Sequence, residues 1–307
     1  MTEPGPRLLL GAPIAAEVRA QVKVEIAALR RRHGAAPTLA VVFVGRDAPS
    51  AVYLGQILRS CRAAGAVGRL VHLPAAATTA QLRLEIELLN AEPSVSGIIV
   101  QMPLPRRIPL GAIIDTIDPA KDIDGLNPRN AGLMELGYEG FLPATAQAAV
   151  ELLKRSGIPL EGRQAVVVGR SNVVGKPVAL LLLRENCTVT VCHSRTRDLA
   201  DHTRRADIVV VAAGHPGLIN GPMLKPGAVV VDVGINVVAS GIVGDVDFAS
   251  AARVASAISP VPGGVGPVTN AILLEHLVRA ARNQANGAAK RSPRRMGSRP
   301  APPAPAH

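Results

Sequence analysis

Apolar and polar positions follow two different periods along this chain. Runs rich in β-branched residues, Thr38 to Gly45, Gly68 to Leu73 and Ser96 to Gln101, alternate with stretches whose apolar residues recur at helical spacing, Ser50 to Ala64 and Thr78 to Ala91. The first kind predicts strands and the second helices, and their alternation predicts an α/β unit. A preceding helix, Ala12 to His33, stops at Gly34, a suitable residue just past a helix end. The pattern resumes after Pro143, with a helix over Ala144 to Ser156, a strand over Gln164 to Gly169 and a helix over Gly175 to Glu185. Strands over Thr188 to Cys192, Asp207 to Ala213 and Ala228 to Gly234 follow. Sequential strands in two blocks predict two α/β domains with a cleft between them, the second Rossmann-like with a parallel sheet.

Asp118 to Pro143 is rich in Pro, Gly and Asn and has no sustained periodicity, so a linker and cleft wall are expected there. That sets an N-terminal domain at 1–143 and a second domain at 144–267. Pro260 to Pro267 is expected as a rigid loop, and the apolar helix after it, 268–283, as one that crosses back to the first domain. Residues 284–307 are expected to be a disordered, basic, Pro-rich tail.

Composition narrows the function. A chain of 307 residues with 48% hydrophobic residues supports two packed domains. The net charge of +11 raises the question of a nucleic-acid partner, but Lys290, Arg291, Arg294, Arg295 and Arg299 place five of those charges in the tail, which leaves +6 on the rest. With only 2% aromatic residues the chain also lacks stacking platforms for bases, so an anionic small molecule is the expected use of the remaining charge. Cys61, Cys187 and Cys192 are odd in number and lack CxxC spacing, which predicts idle thiols rather than a metal or redox site. No leader-like segment and no apolar run of about 18 residues is present, so a soluble cytoplasmic protein without a membrane partner is expected.

The chemistry begins at Gly169. Val166, Val167 and Val168 read as a buried strand, and the segment Gly169 to Pro177 turns into a helix that starts near Gly175. Backbone amides at such a helix start, aided by its dipole, bind phosphate, and glycines at 169 and 175 allow close approach. The spacing departs from GxGxxG: Ser171 stands where a second glycine is expected, and Gly175 comes one residue late. NAD enzymes usually carry an acidic residue at the end of the next strand, but here that strand ends His193-Ser194-Arg195-Thr196. Ser194 and Arg195, with Arg170 in the first turn, suit a ribose bearing a 2′-phosphate, which favours NADP over NAD.

These segments also occur in a known order. GRSNVVGKP (169–177), TVCHSRT (190–196), GAVVVDVGIN (227–236), GDVDF (244–248) and SPVPGGVGPVTNAILL (259–274) follow VGRDAPSAVY (44–53), GIIVQMPLP (97–105) and KDIDGLNPRNAG (121–132). Together they resemble the bifunctional methylenetetrahydrofolate dehydrogenase/cyclohydrolase family, FolD, over roughly Leu8 to Arg282. The resemblance implies NADP-linked oxidation of 5,10-methylenetetrahydrofolate, hydrolysis of the methenyl product to 10-formyltetrahydrofolate, and a homodimer. It places the pterin-stacking tyrosine on Tyr53, the conserved-motif glutamine on Gln101 and the pterin-binding aspartate on Asp124. The cofactor set it implies is Gly169, Arg170, Ser171, Val174, Gly175, Ser194, Arg195, Ile235, Gly263 and Gly264.

Two departures bear on mechanism. The family has a lysine one helical turn after the tyrosine, and this chain has Ile57. Isoleucine exchanges no proton, Arg59 lies on another side of the helix and stays protonated, and Gln56 is no base. Ala144 and Ala146 replace a cysteine and a proline in the cleft-wall segment, which is expected to loosen the turn there. Three readings stay open: a dehydrogenase that has lost the hydrolysis, a fully bifunctional enzyme, and a non-catalytic NADP-binding homologue.

Overall fold

The computed structural model describes residues 5–46, 48–239 and 241–287. A short strand, β1 (Arg7–Leu8), leads into α1 (Gly11–His33), and then come β2 (Thr38–Val44), α2 (Ala48–Ala64), β3 (Val67–Leu73), α3 (Thr79–Ala91) and β4 (Val95–Val100). Helices α4 (Leu110–Ile114), α5 (Pro128–Glu135) and α6 (Ala144–Arg155) bridge to the second block. That block runs β5 (Gln164–Val168), α7 (Gly175–Arg184), β6 (Thr188–Cys192), α8 (Leu199–Thr203), β7 (Ile208–Val211) and β8 (Val229–Asp232). It closes with β9 (Asn236–Val238), β10 (Gly241–Val243), α9 (Phe248–Ala251), β11 (Ala257–Ile258) and α10 (Val265–Ala285).

Two parallel sheets result. The first has the order β3-β2-β4 and the second β1-β11-β8-β7-β5-β6, while β9 and β10 form an antiparallel hairpin. Alternate residues of each strand enter different cores: Leu39, Val41 and Phe43 of β2 face one apolar cluster and Ala40, Val42 and Val44 another. The same alternation on β5 sends Ala165 and Val167 to the first cluster and Val166 and Val168 to a third. Strands buried on both faces read as continuous Val-rich runs, as parallel sheets require. The cluster shared by both sheets is built on α1, α6 and α10, and α10 packs against α1, α6, α2 and β4.

The structure departs from the sequence expectations in four places. Residues 7–8 pair with β11 and so add an edge strand to the second sheet, although they precede the first domain's own elements. The segment 118–143 is not a plain linker. Asn127 caps α5 through its side chain, and Ile98 bridges Asp122, because short-range polar side chains order a stretch that lacks apolar periodicity. Helix α10 starts at Val265 rather than after Pro267; Pro267 lies in its first turn, where the amide a proline lacks has no intrahelical partner to lose. Its last turn reaches Ala285, so the expected tail is helical at its start, and residues 288–307 lie outside the described residues.

Candidate functional site

In the second sheet β5 is flanked by β6 on one side and β7 on the other, so the chain reverses direction of growth at β5. Ligands of open parallel sheets bind beyond the carboxyl ends of the strands at such a switch point. Gly169, the turn His193–Thr196 and the segment Ala212–Gly214 follow β5, β6 and β7 at that edge.

Gly169 has φ +131°, and its amide donates to the Cys192 carbonyl at 2.8 Å. A Cβ at Gly169 would overlap the Ala212 carbonyl oxygen, and one at Gly175 would overlap the Gly169 carbonyl. What the two absent side chains admit is therefore the loop's own backbone, in addition to any approach by a ligand. Ser171, in place of the second glycine of GxGxxG, braces the helix start, since its Oγ accepts the amides of Val174 and Gly175 at 3.0 and 3.3 Å. The Lys176 amide donates to the Ser171 carbonyl at 3.1 Å. With these helix-start amides engaged inside the loop, an anion here is met first by side chains.

Those side chains are present at the rim. Arg170 is exposed directly after Gly169, and the Lys176 ammonium donates to Asn172 Oδ1 at 2.8 Å. On the neighbouring strand the His193 amide donates to Thr196 Oγ1 at 2.8 Å, the Thr196 amide to the His193 carbonyl at 2.8 Å and the Arg195 amide to His193 Nδ1 at 3.1 Å. This locked turn leaves Ser194 and Arg195 exposed at its tip. Because Val168 pairs with Cys192 in register, Arg170 and Ser194 stand two residues beyond paired positions of adjacent strands. A cationic, hydroxyl-bearing rim at a switch point fits a phosphorylated dinucleotide.

Ile235 is 64% exposed at the base of the β9–β10 hairpin. Gly264 is buried against Ser259 and Pro260, and the Gly263 carbonyl accepts the Gly11 amide at 2.9 Å, which ties the start of α1 to the loop after β11.

In the first sheet β2 is the central strand, and Gln101 lies at the carboxyl end of its neighbour β4. Its amide donates to the Val42 carbonyl at 2.8 Å and its Nε2 to the Met102 carbonyl at 3.0 Å, while its buried Oε1 has no protein partner. Tyr53, half-buried, and Ile57, 3% exposed, follow each other by one turn on α2. Burial and the neighbouring Asp124 carboxyl raise the Tyr53 phenol above its ordinary range. Burial and then the charge of Asp122 push Asp124 up to about 7. Asp122 itself is buried and accepts the amides of Leu126 and Asn127 at 3.1 and 2.7 Å and Asn130 Nδ2 at 2.9 Å, which fixes the turn that carries Asp124.

The structure thus brings Tyr53 and Asp124 into one neighbourhood, an aromatic face beside a carboxyl that titrates near neutrality. Gln56 and Arg59 are exposed, while Ile57 is part of the apolar core with Leu54 and Cys61. Ala144 and Ala146 are also buried, and the turn at Pro143 is not loosened: α6 begins at Ala144, whose amide donates to the Asp124 carbonyl at 3.3 Å. Alanine keeps an amide that proline lacks, so the departure at 146 costs the helix no hydrogen bond.

Three kinds of buried polar residue received no role from sequence. Asp232 and Asp245 lie inside the quoted motifs VVVDVG and GDVD and brace the hairpin that bears Ile235. Lys121 donates to the carbonyls of Leu89, Asn90 and Glu92 at 3.0, 2.7 and 2.7 Å and so closes the C-terminal end of α3. His276, on α10, reaches the backbone beside Asp124. For the aspartates the signal was a charged residue among apolar neighbours; Lys121, set among Asp118, Asp122 and Asp124, and His276, within a helix, offered no such contrast.

Comparison with known proteins agrees with this geometry over most of the chain. A family profile described as "Tetrahydrofolate dehydrogenase/cyclohydrolase, catalytic domain" matches residues 9–124, and one described as "Tetrahydrofolate dehydrogenase/cyclohydrolase, NAD(P)-binding domain" matches residues 143–285. The bifunctional protein FolD of Moorella thermoacetica is 51% identical over 277 residues, which cover 90% of this chain and 99% of that protein. The bifunctional FolD of Campylobacter jejuni superposes with a TM-score of 0.87 at 44% identity, covering 90% of this chain and 98% of its own. The Trypanosoma brucei dehydrogenase-cyclohydrolase, solved with NADP and an inhibitor, superposes at 0.88 with 39% identity, covering 92% of this chain and 99% of its own.

Proposed function

The chain belongs to the tetrahydrofolate dehydrogenase/cyclohydrolase family, and from that premise we propose that it is an NADP-dependent 5,10-methylenetetrahydrofolate dehydrogenase that has lost the hydrolysis of the methenyl product. The observation that carries this reading is the contrast between a complete cationic rim at Arg170, Ser194 and Arg195 and an apolar, buried Ile57 one turn from Tyr53.

NADP, when bound, accepts the hydride. Arg170, Ser194 and Arg195 would hold its 2′-phosphate, the Gly169–Gly175 loop with Ser171 and Val174 would hold its pyrophosphate, and Ile235, Gly263 and Gly264 would serve its nicotinamide end. The folate lies against Tyr53, with Asp124 accepting from the amino-pyrimidine edge of the pterin and the orphan Gln101 Oε1 taking a donor from substrate or water. Hydride transfer needs the two reacting carbons held together and no proton from the protein. Hydrolysis needs a group that exchanges protons beside the attacked carbon, and Ile57 offers none. We assign residues 9–143 to the folate side, with 268–283 packed on it, and 144–267 together with the edge strand at Arg7–Leu8 to the cofactor side. We also place the enzyme in the cytoplasm as a homodimer, with a tetrahydrofolate-type substrate and neither nucleic acid nor membrane as a partner.

The test is one spectrophotometric run with purified protein, methylenetetrahydrofolate and NADP. The expected result is NADPH formed with accumulation of the methenyl species, which then decays at its rate in buffer. Absence of methenyl product would refute the dehydrogenase, and decay faster than in buffer would refute the lost hydrolysis.

A further inference from the structure

We propose that His276 is a positioning residue for the folate side of the site, fixing the Asp124 turn through a hydrogen bond to the carbonyl of the preceding residue, Ile123. The inference rests on the reading of Asp124 given above.

His276 lies on α10 and is 3% exposed. Its Nδ1 is 2.8 Å from the Ile123 carbonyl oxygen, across a sequence separation of 153 residues, and its Nε2 is 2.9 Å from Gln147 Oε1 on α6. A carbonyl only accepts, so Nδ1 must carry a proton. Burial, then the charge of Arg279, pushes the imidazole down to about 3, so the ring is neutral and Nε2 is its acceptor. The Gln147 carboxamide must then turn its NH2 toward Nε2. One ring thereby joins three elements: α10, α6 and the loop that ends in Asp124.

The other supports of that loop show what His276 adds. Asp122 orders the turn from behind, and the Ala144 amide holds the Asp124 carbonyl. Gly125 has φ +70°, and a Cβ there would overlap the Leu142 carbonyl, so the chain after Asp124 has no room to shift that way. The Ile123 side chain is buried in the core, and the carbonyl of the peptide between Ile123 and Asp124 is held by His276. The ring in turn is held by Phe141, tilted at 59° with centroids 5.3 Å apart. Arg279 lies over the same phenyl ring, 4.2 Å from its centroid, while donating to the Gly140 carbonyl at 2.7 Å. A rotation of the Ile123–Asp124 peptide would turn the Asp124 carboxyl away from Tyr53. That would weaken folate binding and leave the cofactor rim, on the other sheet, untouched.

Calorimetric titration of the full-length chain with tetrahydrofolate and, separately, NADP tests this on the wild type and three variants. In His276→Leu the tetrahydrofolate Kd is expected to rise roughly tenfold, the worth of one buried hydrogen bond, with NADP changed less than about threefold. His276→Asn places an amide donor where Nδ1 stands and is expected to recover most of the loss; His276→Gln, whose donor falls at the Nε2 position, is not. Unchanged tetrahydrofolate affinity in the Leu variant, equal losses for both ligands, or an Asn variant no better than Leu would each overturn the proposal. On the wild-type chain, 15N-resolved spectra of the ring are expected to show the Nδ1–H tautomer without titration from about pH 8 to about pH 5, where an ordinary histidine would protonate. An Nε2–H tautomer would overturn it without any variant. Turnover of the wild-type chain is a separate readout: if it fails while binding depends on His276 as described, the dehydrogenase reading falls and this inference stands.

Discussion

The Asp232 Oδ1 accepts the Asp245 backbone amide at 3.0 Å, and the Asp245 carboxylate in turn accepts the amides of Ala213 and Gly214 at 2.6 and 2.8 Å and Asn236 Nδ2 at 2.8 Å. Asp232 also takes the amides of Gly234 and Val246, both at 2.9 Å. The two carboxyls therefore tie the ends of β7 and β8 to the hairpin that begins after Ile235. Asp245→Ala would leave three donors without their acceptor. It should lower the unfolding free energy by about 2–4 kcal/mol, read by urea denaturation, and weaken NADP binding at the same time. Stability within about 0.5 kcal/mol of the wild type would show that the pair is dispensable.

Ile57 sits in the core, so restoring a lysine has a cost as well as a gain. The Ile57→Lys variant should regain acceleration of methenyl hydrolysis over buffer, because a buried ammonium shifts toward a pKa at which it exchanges protons. It should also lose stability by about 2–4 kcal/mol, since a charge enters an apolar cluster that includes Leu54 and Cys61. Thermal melts and the decay of the methenyl absorbance check the two halves separately. A variant that folds yet leaves the decay at its buffer rate would mean that the defect extends beyond this position.

Much of this architecture was legible because parallel strands buried on both faces announce themselves as Val-rich runs, as in Val166–Val168, and because the glycine turn after β5 sits at a fixed place in such a fold. The contacts made by polar residues were less legible. Ser171 has the look of a flawed glycine position and is a cap for two amides. The stretch 118–143 has the composition of a linker, yet Asp122, Asn127 and Asn130 order it from within, and hydrogen-bonded asparagines leave no period to detect. Lys121 shows the same limit: its partners are backbone carbonyls near the end of α3, about thirty residues away in sequence, which no local pattern encodes. β1 was invisible for another reason, since two residues gain strand geometry only by pairing with β11.

Asp124 and Asp232 make the protein's pH dependence specific. Burial lifts their carboxyls to about 7 and about 6, above the values they have unfolded. The folded state therefore holds these protons more tightly than the unfolded chain, and the stability they contribute is present in full below about pH 4. It is lost as the pH rises through about 6 and then about 7. Folate binding should run the other way, because an ionised Asp124 is the better acceptor for the pterin's amino group: kcat/KM should rise with an apparent pKa near 7. Asp124→Asn should flatten that limb. A profile of kcat/KM in the wild type that stays level from about pH 5.5 to about pH 8 would rule out Asp124 as the acceptor.

Arg170 and Arg195 are exposed, so their charges are screened and of little use to stability, but they stand together at the ends of adjacent strands where a doubly charged phosphate would meet both. Each of Arg170→Ala and Arg195→Ala should raise the Kd for NADP roughly tenfold and leave the Kd for NAD, which lacks the 2′-phosphate, within about threefold. The double variant should bind the two dinucleotides about equally. Raising the ionic strength should weaken NADP binding to the wild type more than to either variant, since fewer charge pairs remain to be screened. Displacement of the fluorescent reduced cofactors by NADP and by NAD gives all of these constants. If NAD and NADP lost affinity in step, the arginines would be contacting the pyrophosphate common to both, and the preference for NADP would have to come from Ser194 and the backbone of the His193–Thr196 turn.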